Sequence, residues 1–588
     1  MTIGNMSSKK RHKPRKSKGT ESAPTPTAPA ASPLGVGRVV LGVAVLAVLT
    51  AAVYAPAVRG PFIFDDRMWL WDDPQIHGAV GDYWVKPQTT DYLPLMSTAF
   101  WAQWRLWGRD PAGYHVVNIV GHIAGALCLW ALLRRLKVPA AWLASVIFAV
   151  HPVNVASVAW ITELKNTLSL PLYLGAILAY LHYEDRRRIR WYATAMVLFA
   201  LGLLAKQSIA ILPLVLLGCV WWRRRKIDLG DWARAVPFFV LGIALAIVAV
   251  RLQRTQMIDG PANLFERLAL AGRAIWFYLA KALWPAPVSL IYPMWDIHNP
   301  PLLAFIGLLA ALAVAAALFA FRKSRTRAAA FGLGYYAIGL APVLGFVDMS
   351  YMMHAFVADQ WHYVALPGVI ALAVGCAGYW AKRGGAPLRI AGIGAGVAVV
   401  AALSILTFRQ ASLYADTQKL WSHVLTVSPR SWAAHNHLAM ALVETKNPQD
   451  EGPAEDHYLQ AIRFNPRSAF AHNNLAKLYQ RQGHREQAIS YNRKAIEIKP
   501  NYANAYNNLA AALANSRKED EAIECFRMAV RLNPRLTEAY YNMGVILSAQ
   551  GRHGRAAESL RRYLEIKPDD DNARKMLAAA EAALQKND

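Results

Sequence analysis

The sequence predicts an all-α fold: a polytopic membrane helical domain followed by an α-solenoid. Three observations predict it. The chain has 588 residues, of which 55% are hydrophobic and only 17% charged, a balance outside that of soluble proteins. The apolar residues gather in blocks of about 20, the length at which a helix crosses a bilayer. Near the C-terminus, Pro466, Pro500, Pro534 and Pro568 recur every 34 residues, the period of a stacked helix-pair repeat.

Residues 1–34 hold "KKRHKPRKSK" and then "APTPTAPAASP". Low hydrophobicity and high charge give such a segment nothing to bury, so a disordered tail is expected, on the cytoplasmic side. The formal net charge of +26 invites a nucleic-acid reading. Its distribution argues against one: beyond the tail, the basic clusters are short and sit between apolar blocks, as topology signals do. The bilayer is the expected partner of the tail, through anionic lipid. Cys128, Cys219, Cys376 and Cys525 are isolated, so neither a disulfide framework nor a CxxC metal site is indicated. The first apolar segment is long for a signal peptide and many more follow it, which favours a membrane anchor.

The membrane domain is expected over 35–410. Its candidate spans lie near 35–58, 114–133, 139–158, 166–183, 191–206, 208–222, 233–251, 301–321, 328–347, 361–381 and 388–408. A further apolar segment, 264–285, carries Glu266, Arg267, Arg273 and Lys281. Laying it on the outer surface, or re-entering it, keeps all five internal Lys/Arg clusters on the cytoplasmic side. The result is about 11 spans, a large first outer loop at 59–113, and a C-terminal part outside.

Residues 411–568 read as about four tetratricopeptide repeats, and 569–588 as a capping helix. Small residues recur with the prolines, at Ala488, Ala522 and Ala556. Asn474, Asn508 and Asn542 stand in register, with His437 at the equivalent place in the first unit. Two readings stay open. The amides can bond the backbone of an acceptor polypeptide in the groove, or they satisfy the helix pair itself.

Four stretches of the membrane half carry a resemblance: "FIFDDRMWLWDDPQI" (62–76), "YHVVNIVGHIAGALCLWALLRRL" (114–136), "HPVNVASVAWITELKNTLSLPLYLGAILAYLHY" (151–183) and "LLAKQSIAILPLVLL" (203–217). Ahead of tetratricopeptide repeats, they resemble bacterial relatives of the transmembrane and tetratricopeptide repeat-containing O-mannosyltransferases, of the GT-C glycosyltransferase class. The resemblance implies an inverting enzyme that moves a sugar, mannose in the name of the family, from a polyprenyl-phosphate donor to a hydroxyl of an exported protein. It implies work on the extracytoplasmic side of a bacterial cytoplasmic membrane, with the repeats on that side. Two positions depart from the family pattern. Leu93 stands where an "RPL" run has arginine, and Gln360 stands where an "ADRY"-like motif has arginine.

Such a transfer needs a carboxylate base, cations or a metal at the phosphate, and an apolar groove for the lipid. Asp65 and Asp66 are the candidate catalytic pair, with the choice of base open and a divalent metal on the two left open as cofactor. The structural alternative is an N-cap for a surface helix. Asp72-Asp73-Pro74 reads as turn chemistry. Lys165 and Lys206 are the candidates for the donor phosphate, because ionisable residues at membrane depth are costly. Their bland alternative is snorkelling or pairing with Glu163. Glu163, His151, Asp359 and His362 form a second rank. His115, Asn118 and His122 fall on one helical face and read as polar glue between spans. Two other functions compete: a membrane-anchored repeat scaffold without catalysis, and a flippase, which would show inverted repeats that are not evident.

Overall fold

The computed structural model describes residues 35–71, 73–85, 92–253, 263–298, 300–321 and 326–585. The basic tail, Asp72 and most of the 322–327 cluster lie outside them. Residues 1–44 and 45–588 separate as two units. Among the described residues the first holds only the start of the helix Val36–Tyr54. Every regular element among the described residues is a helix, as the patterning predicts.

Five helices are long and apolar enough to cross a membrane: Val36–Arg59, Ala112–Arg135, Leu229–Val248, Leu302–Ala320 and Gly385–Leu413. A sixth is reached if Ala141–Ala149 and Pro152–Ala159, bent by 49°, count as one broken span. The expected total of eleven is therefore not fixed by length and apolarity. Polar residues and prolines cut the other segments. The helix Ile189–Ala205 stops at Lys206, and a 3₁₀ turn precedes Leu212–Arg224. Leu164–Arg186 carries Lys165 at one end, Glu184 to Arg186 at the other, and Pro171 inside. The segment Leu264–Leu283 is one continuous helix, capped where Asn263 Oδ1 accepts from the Glu266 amide at 3.0 Å.

The break at 150–152 follows from the sequence. The Phe148 carbonyl would look to residue 152 for its helical donor, and Pro152 has no N–H. The Asn154 amide turns to the His151 carbonyl instead (2.9 Å). Three carbonyls lose their i+4 helical donor and each gains a side chain, the Phe148 carbonyl keeping a long contact from the His151 amide as well (3.4 Å). Asn154 Nδ2 donates to Phe148 (2.7 Å), His122 Nε2 to Ala149 (2.9 Å) and Thr407 Oγ1 to Val150 (2.7 Å). Unmet carbonyls at membrane depth cost several kcal/mol each, by order of magnitude. The expected polar face of Ala112–Arg135 serves this need further along. Asn118 Nδ2 donates to the Trp160 and Ile161 carbonyls (3.1 and 3.2 Å), and His115 Nε2 to Gly60 (3.1 Å). Gly60 has to be glycine for a further reason: a Cβ there would lie 2.4 Å from the Tyr414 carbonyl oxygen, at the root of the repeats.

The repeat region begins with Thr417–Val427, capped by Asp416, which accepts from the Gln418 and Lys419 amides (3.0 and 3.1 Å). That helix packs on Trp432–Glu444, ahead of the first unit marked by proline spacing. The pairs Ala469–Arg481 with Arg485–Ile498, Ala503–Asn515 with Glu519–Leu532, and Thr537–Ala549 with His553–Ile566 follow. Asp571–Gln585 comes last. Ala488, Ala522 and Ala556 are wholly buried where paired helices cross closely. Gly483 and Gly551 supply the left-handed turns between helices, at φ of 83° and 70°.

Candidate active site

The acidic pair sits in the loop that follows the first helix. Phe64 adopts a left-handed backbone, φ 50°, which is uncommon for a bulky residue. Asp65 then opens the short helix Asp66–Leu70, and its side chain makes no capping bond. The aspartates instead grip the 3₁₀ turn Ile161–Glu163. Asp66 is wholly buried. Its Oδ2 accepts from the Ile63 amide (2.8 Å) and its Oδ1 from the Thr162 amide (2.9 Å). Asp65 keeps part of its surface, and its Oδ1 accepts from the Thr162 hydroxyl at 2.7 Å. Burial raises the pKa of both carboxyls above the ordinary carboxylate range. Lys165 moderates the shift at Asp65, while the Asp65 charge adds to it at Asp66.

Asp66 therefore closes the loop. Asp66→Asn would turn an NH₂ group onto one of two N–H donors, stranding it at a cost of about 1–3 kcal/mol. The expected result is a lower melting temperature in detergent and faster proteolysis of the 60–70 loop.

The same turn brings in the expected cations. Lys165 Nζ lies 3.0 Å from Glu163 Oε1, and Glu163 is 2% exposed. Asn166 organises the rest. Its Nδ2 shares two hydrogens among Glu163 Oε2, Ser157 Oγ (3.1 Å) and the Gln360 carbonyl (3.1 Å), and its Oδ1 accepts from Lys206 Nζ. Gln207 Nε2 donates to the Tyr92 carbonyl, tying the Lys206 loop to the helix Pro94–Trp107. Asp65, Asp66, Glu163, Lys165 and Lys206 thus form one cluster. Thr162 and Asn166 join it without having been singled out in the sequence. The available signal was their place, flanking Glu163 and Lys165 in an otherwise apolar run.

The other candidates lie elsewhere around it. Asp359 is buried, and both its oxygens accept from the Tyr292 hydroxyl (2.9 and 3.0 Å). Burial pushes its pKa up to about 7. His151 caps the helix break: its Nδ1 accepts from the Val153 amide (3.4 Å) and its Nε2 donates to the Ala282 carbonyl (3.3 Å), a structural role. His362 is wholly buried between Tyr278 and Tyr336, ring centroids 5.3 and 5.8 Å away, with neither nitrogen hydrogen-bonded to a described residue. Leu93 is 4% exposed in an apolar cluster with Phe62, Trp69, Met96 and Phe100, so this position supplies packing where the family pattern has a cation. Asp73 makes the expected turn, accepting from the Gln75 amide (2.9 Å) and the Tyr83 hydroxyl (2.8 Å).

No group of three or more His, Cys, Asp or Glu arranged for a metal occurs among the described residues. Both Asp66 oxygens are engaged by amides, so the pair does not form the donor set of a divalent cation site.

Along the repeats, Asn474 Nδ2 donates to Asn436 Oδ1 (3.0 Å) and Asn508 Nδ2 to Asn473 Oδ1 (2.8 Å). Those two ladder amides each spend one hydrogen on the preceding repeat and carry a second, since an amide NH₂ has two. Asn542 is half-buried at the next position of the ladder.

The repeats reach the acidic loop directly. The Phe64 ring lies 5.4 Å from Trp160, 5.1 Å from His354, 5.8 Å from Trp421 and 5.1 Å from His437. His437 stacks on Trp421 at 4.6 Å. Arg67 Nη2 pairs with Glu444 Oε1 at 2.9 Å. Burial lowers the pKa of His354 to about 3 and that of His437 to about 4. Both are held neutral, against an ordinary value near 6.5. The sign follows: their contribution is complete above about pH 6.5 and is lost as pH falls toward 4. Amide exchange of residues 62–68 is expected to rise over that interval, and His437→Phe is expected to weaken the dependence.

The family described as dolichyl-phosphate-mannose-protein mannosyltransferase matches residues 91–252. Tetratricopeptide repeat families match 469–502, 503–536 and 537–570. Protein O-mannosyl-transferase F38B6.6 of Caenorhabditis elegans is 24% identical over 445 residues, covering 69% of this chain and 60% of that protein. Protein O-mannosyl-transferase TMTC3 of Homo sapiens is 26% identical over 25% of this chain and 18% of its own length. Protein O-mannosyl-transferase Tmtc1 of Drosophila melanogaster is 28% identical over 27% of this chain and 20% of its own. The chain thus spans about three fifths of the nematode relative, and less of the others. With a match to a mannosyltransferase family and a tetratricopeptide array in one chain, this protein is similar to the protein O-mannosyl-transferases.

Proposed function

We propose that the protein is a membrane glycosyltransferase. In this reading it moves a sugar, mannose by kinship, from a polyprenyl-phosphate donor to a hydroxyl of an exported polypeptide, with inversion, on the extracytoplasmic side. The observation that carries the proposal is the cluster in which Asp65 accepts a hydrogen bond from the Thr162 hydroxyl at 2.7 Å, against the turn that holds Glu163 and Lys165. A carboxylate that already holds one hydroxyl has the geometry to take the proton from another. Asp65, the partly exposed member of the pair, is the base, and Asp66 holds its loop. Lys165 and Lys206 carry the two positive charges of a cluster that also holds the carboxylates of Glu163 and Asp65, and their ammonium groups are the point charges offered to a phosphodiester. The amides of Asn474, Asn508 and Asn542 hold the acceptor backbone, while Asp359 and His362, packed behind on Tyr292 and between Tyr278 and Tyr336, keep a supporting place.

The test uses membrane vesicles containing the full chain, polyprenyl-phosphate sugars labelled in the sugar, and hydroxyl-bearing acceptor peptides. Label should reach the peptide with the parent and not with Asp65→Asn. No transfer from any of several sugars by the parent would favour the scaffold reading. Activity of a cytoplasm-dependent reporter fused after Asp588 would contradict the assigned side.

A further inference from the structure

The Phe64 ring lies among side chains of three separate regions. Trp160 comes from the broken-helix segment, His354 from the loop before the last membrane helices, and Trp421 and His437 from the first helices of the repeat region. Trp160 and Trp421 are 1% and 2% exposed, so these contacts are largely desolvated. The residue so held is a bulky one in a left-handed backbone, at φ 50°, directly before Asp65. A phenylalanine has no intrinsic reason to remain there, since the conformation costs about 1–3 kcal/mol and persists only where surroundings impose it. Aromatic pairs in edge arrangements, as Phe64 makes with Trp160 and His354, each return about 0.5–1.5 kcal/mol, and together with the tilted contacts to Trp421 and His437 they offset the strain. The strain stays at Phe64 and its result appears at Asp65: the turn of the chain there sets the carboxylate against the Thr162 hydroxyl.

We propose that Phe64 is a positioning residue through which the first repeat helices hold Asp65 in its working geometry. The repeat array is then part of the catalytic apparatus as well as a place for the acceptor to lie. Undocking the repeats releases the ring, relaxes the left-handed turn and withdraws the base. The exposed Arg67–Glu444 pair adds little to this, because exposed ion pairs are weak. The kinetic consequence rests on the transferase reading above; the structural consequence does not.

The test compares full-length Trp421→Ala, Trp421→Phe, Phe64→Ala and Phe64→Gly with the parent in detergent or vesicles. Trp421 and Phe64 have no direct contact with the reacting groups. Trp421→Ala and Phe64→Ala should lower kcat by about 100-fold, the usual penalty for a small misplacement of a catalytic group. KM for donor and acceptor should stay within about twofold, since no substrate contact is lost. Trp421→Phe should keep most of the activity. Phe64→Gly accepts the same backbone angle without the ring and should fail like Phe64→Ala; parental kcat in Phe64→Gly would overturn the proposal. A second readout needs no activity. Amide exchange at Ile63 and Thr162, both bonded to Asp66, should rise by about tenfold or more in Trp421→Ala while the membrane helices keep their protection. Unchanged exchange there would overturn the lock even if turnover fell. Raised exchange in a protein whose parent transfers no sugar would keep the lock and reject the transferase reading.

Discussion

Asp65→Asn is expected to lower the rate of sugar transfer by about 10²- to 10⁴-fold, the contribution usual for a positioned general base, with the melting temperature near that of the parent. The two halves of that expectation come from different bonds. Asp65 accepts one hydroxyl bond from Thr162, which an asparagine oxygen can also accept, so the fold loses little. The amide cannot take a proton, so the chemistry loses its base. Asp66→Asn should behave in the opposite way, costing stability first, because that carboxylate receives two backbone amides. Since burial raises the pKa of Asp65, the carboxylate form appears only at a pH above the ordinary carboxylate range. The ascending limb of kcat/KM should be displaced upward accordingly. A rate that stays flat from pH 4 upward, or equal rates in Asp65→Asn and the parent, would remove Asp65 from the role.

Lys206→Met is expected to weaken the donor term by about 10- to 100-fold in kcat/KM, the worth of a hydrogen bond to a charged group, while the acceptor KM holds. Methionine keeps the length and apolar body of the side chain, so the helix end at Ala205 still packs. The ammonium is lost, and with it one of the two point charges that Lys165 and Lys206 offer the phosphodiester. Lys206→Arg should recover only part of the loss, since a planar fork cannot sit on Asn166 Oδ1 as a point charge does. Binding of a donor analogue by calorimetry checks the effect without turnover. Unchanged affinity would leave Lys206 a structural partner of Asn166.

The sequence made some of this legible and concealed the rest. Period is a property of the chain, so Pro466 to Pro568 announced the helix pairs, and Ala488, Ala522 and Ala556 announced how closely they pack. The helix Thr417–Val427 is closed by Pro429, but that proline stands 37 residues before Pro466, off the 34-residue period, and the packing of the helix on Trp432–Glu444 reveals its place. The Asp65-Asp66 pair was visible as a chemical oddity, but adjacent carboxylates look alike in a sequence. What separates them is a partner nearly a hundred positions away: Thr162 offers a hydroxyl to one and an amide to the other. Asn166 and Thr162 went unnoticed for the same reason. Neutral polar residues raise no alarm in a hydropathy profile, and their importance lies in what they join. Lys206 was noticed because a charge between apolar blocks does raise one. Span number resisted reading because breaks such as His151-Pro152 and Lys206 leave composition almost unchanged while ending a helix.

The break at His151-Pro152 also reverses the usual rule for substitutions in apolar surroundings. Cores ordinarily tolerate exchange of one side chain for another of equal volume and lesser polarity. Along the inner face of Ala112–Arg135, and at Asn154 and Thr407, that exchange is the harmful one. A leucine in place of His122, or a valine in place of Thr407, would fill much the same space and strip the Ala149 or Val150 carbonyl of the side-chain donor it has here. A mutational scan should therefore find these few positions intolerant of hydrophobic replacements that the neighbouring lipid-facing positions accept freely, and the map of intolerance would trace the path of the unwound backbone.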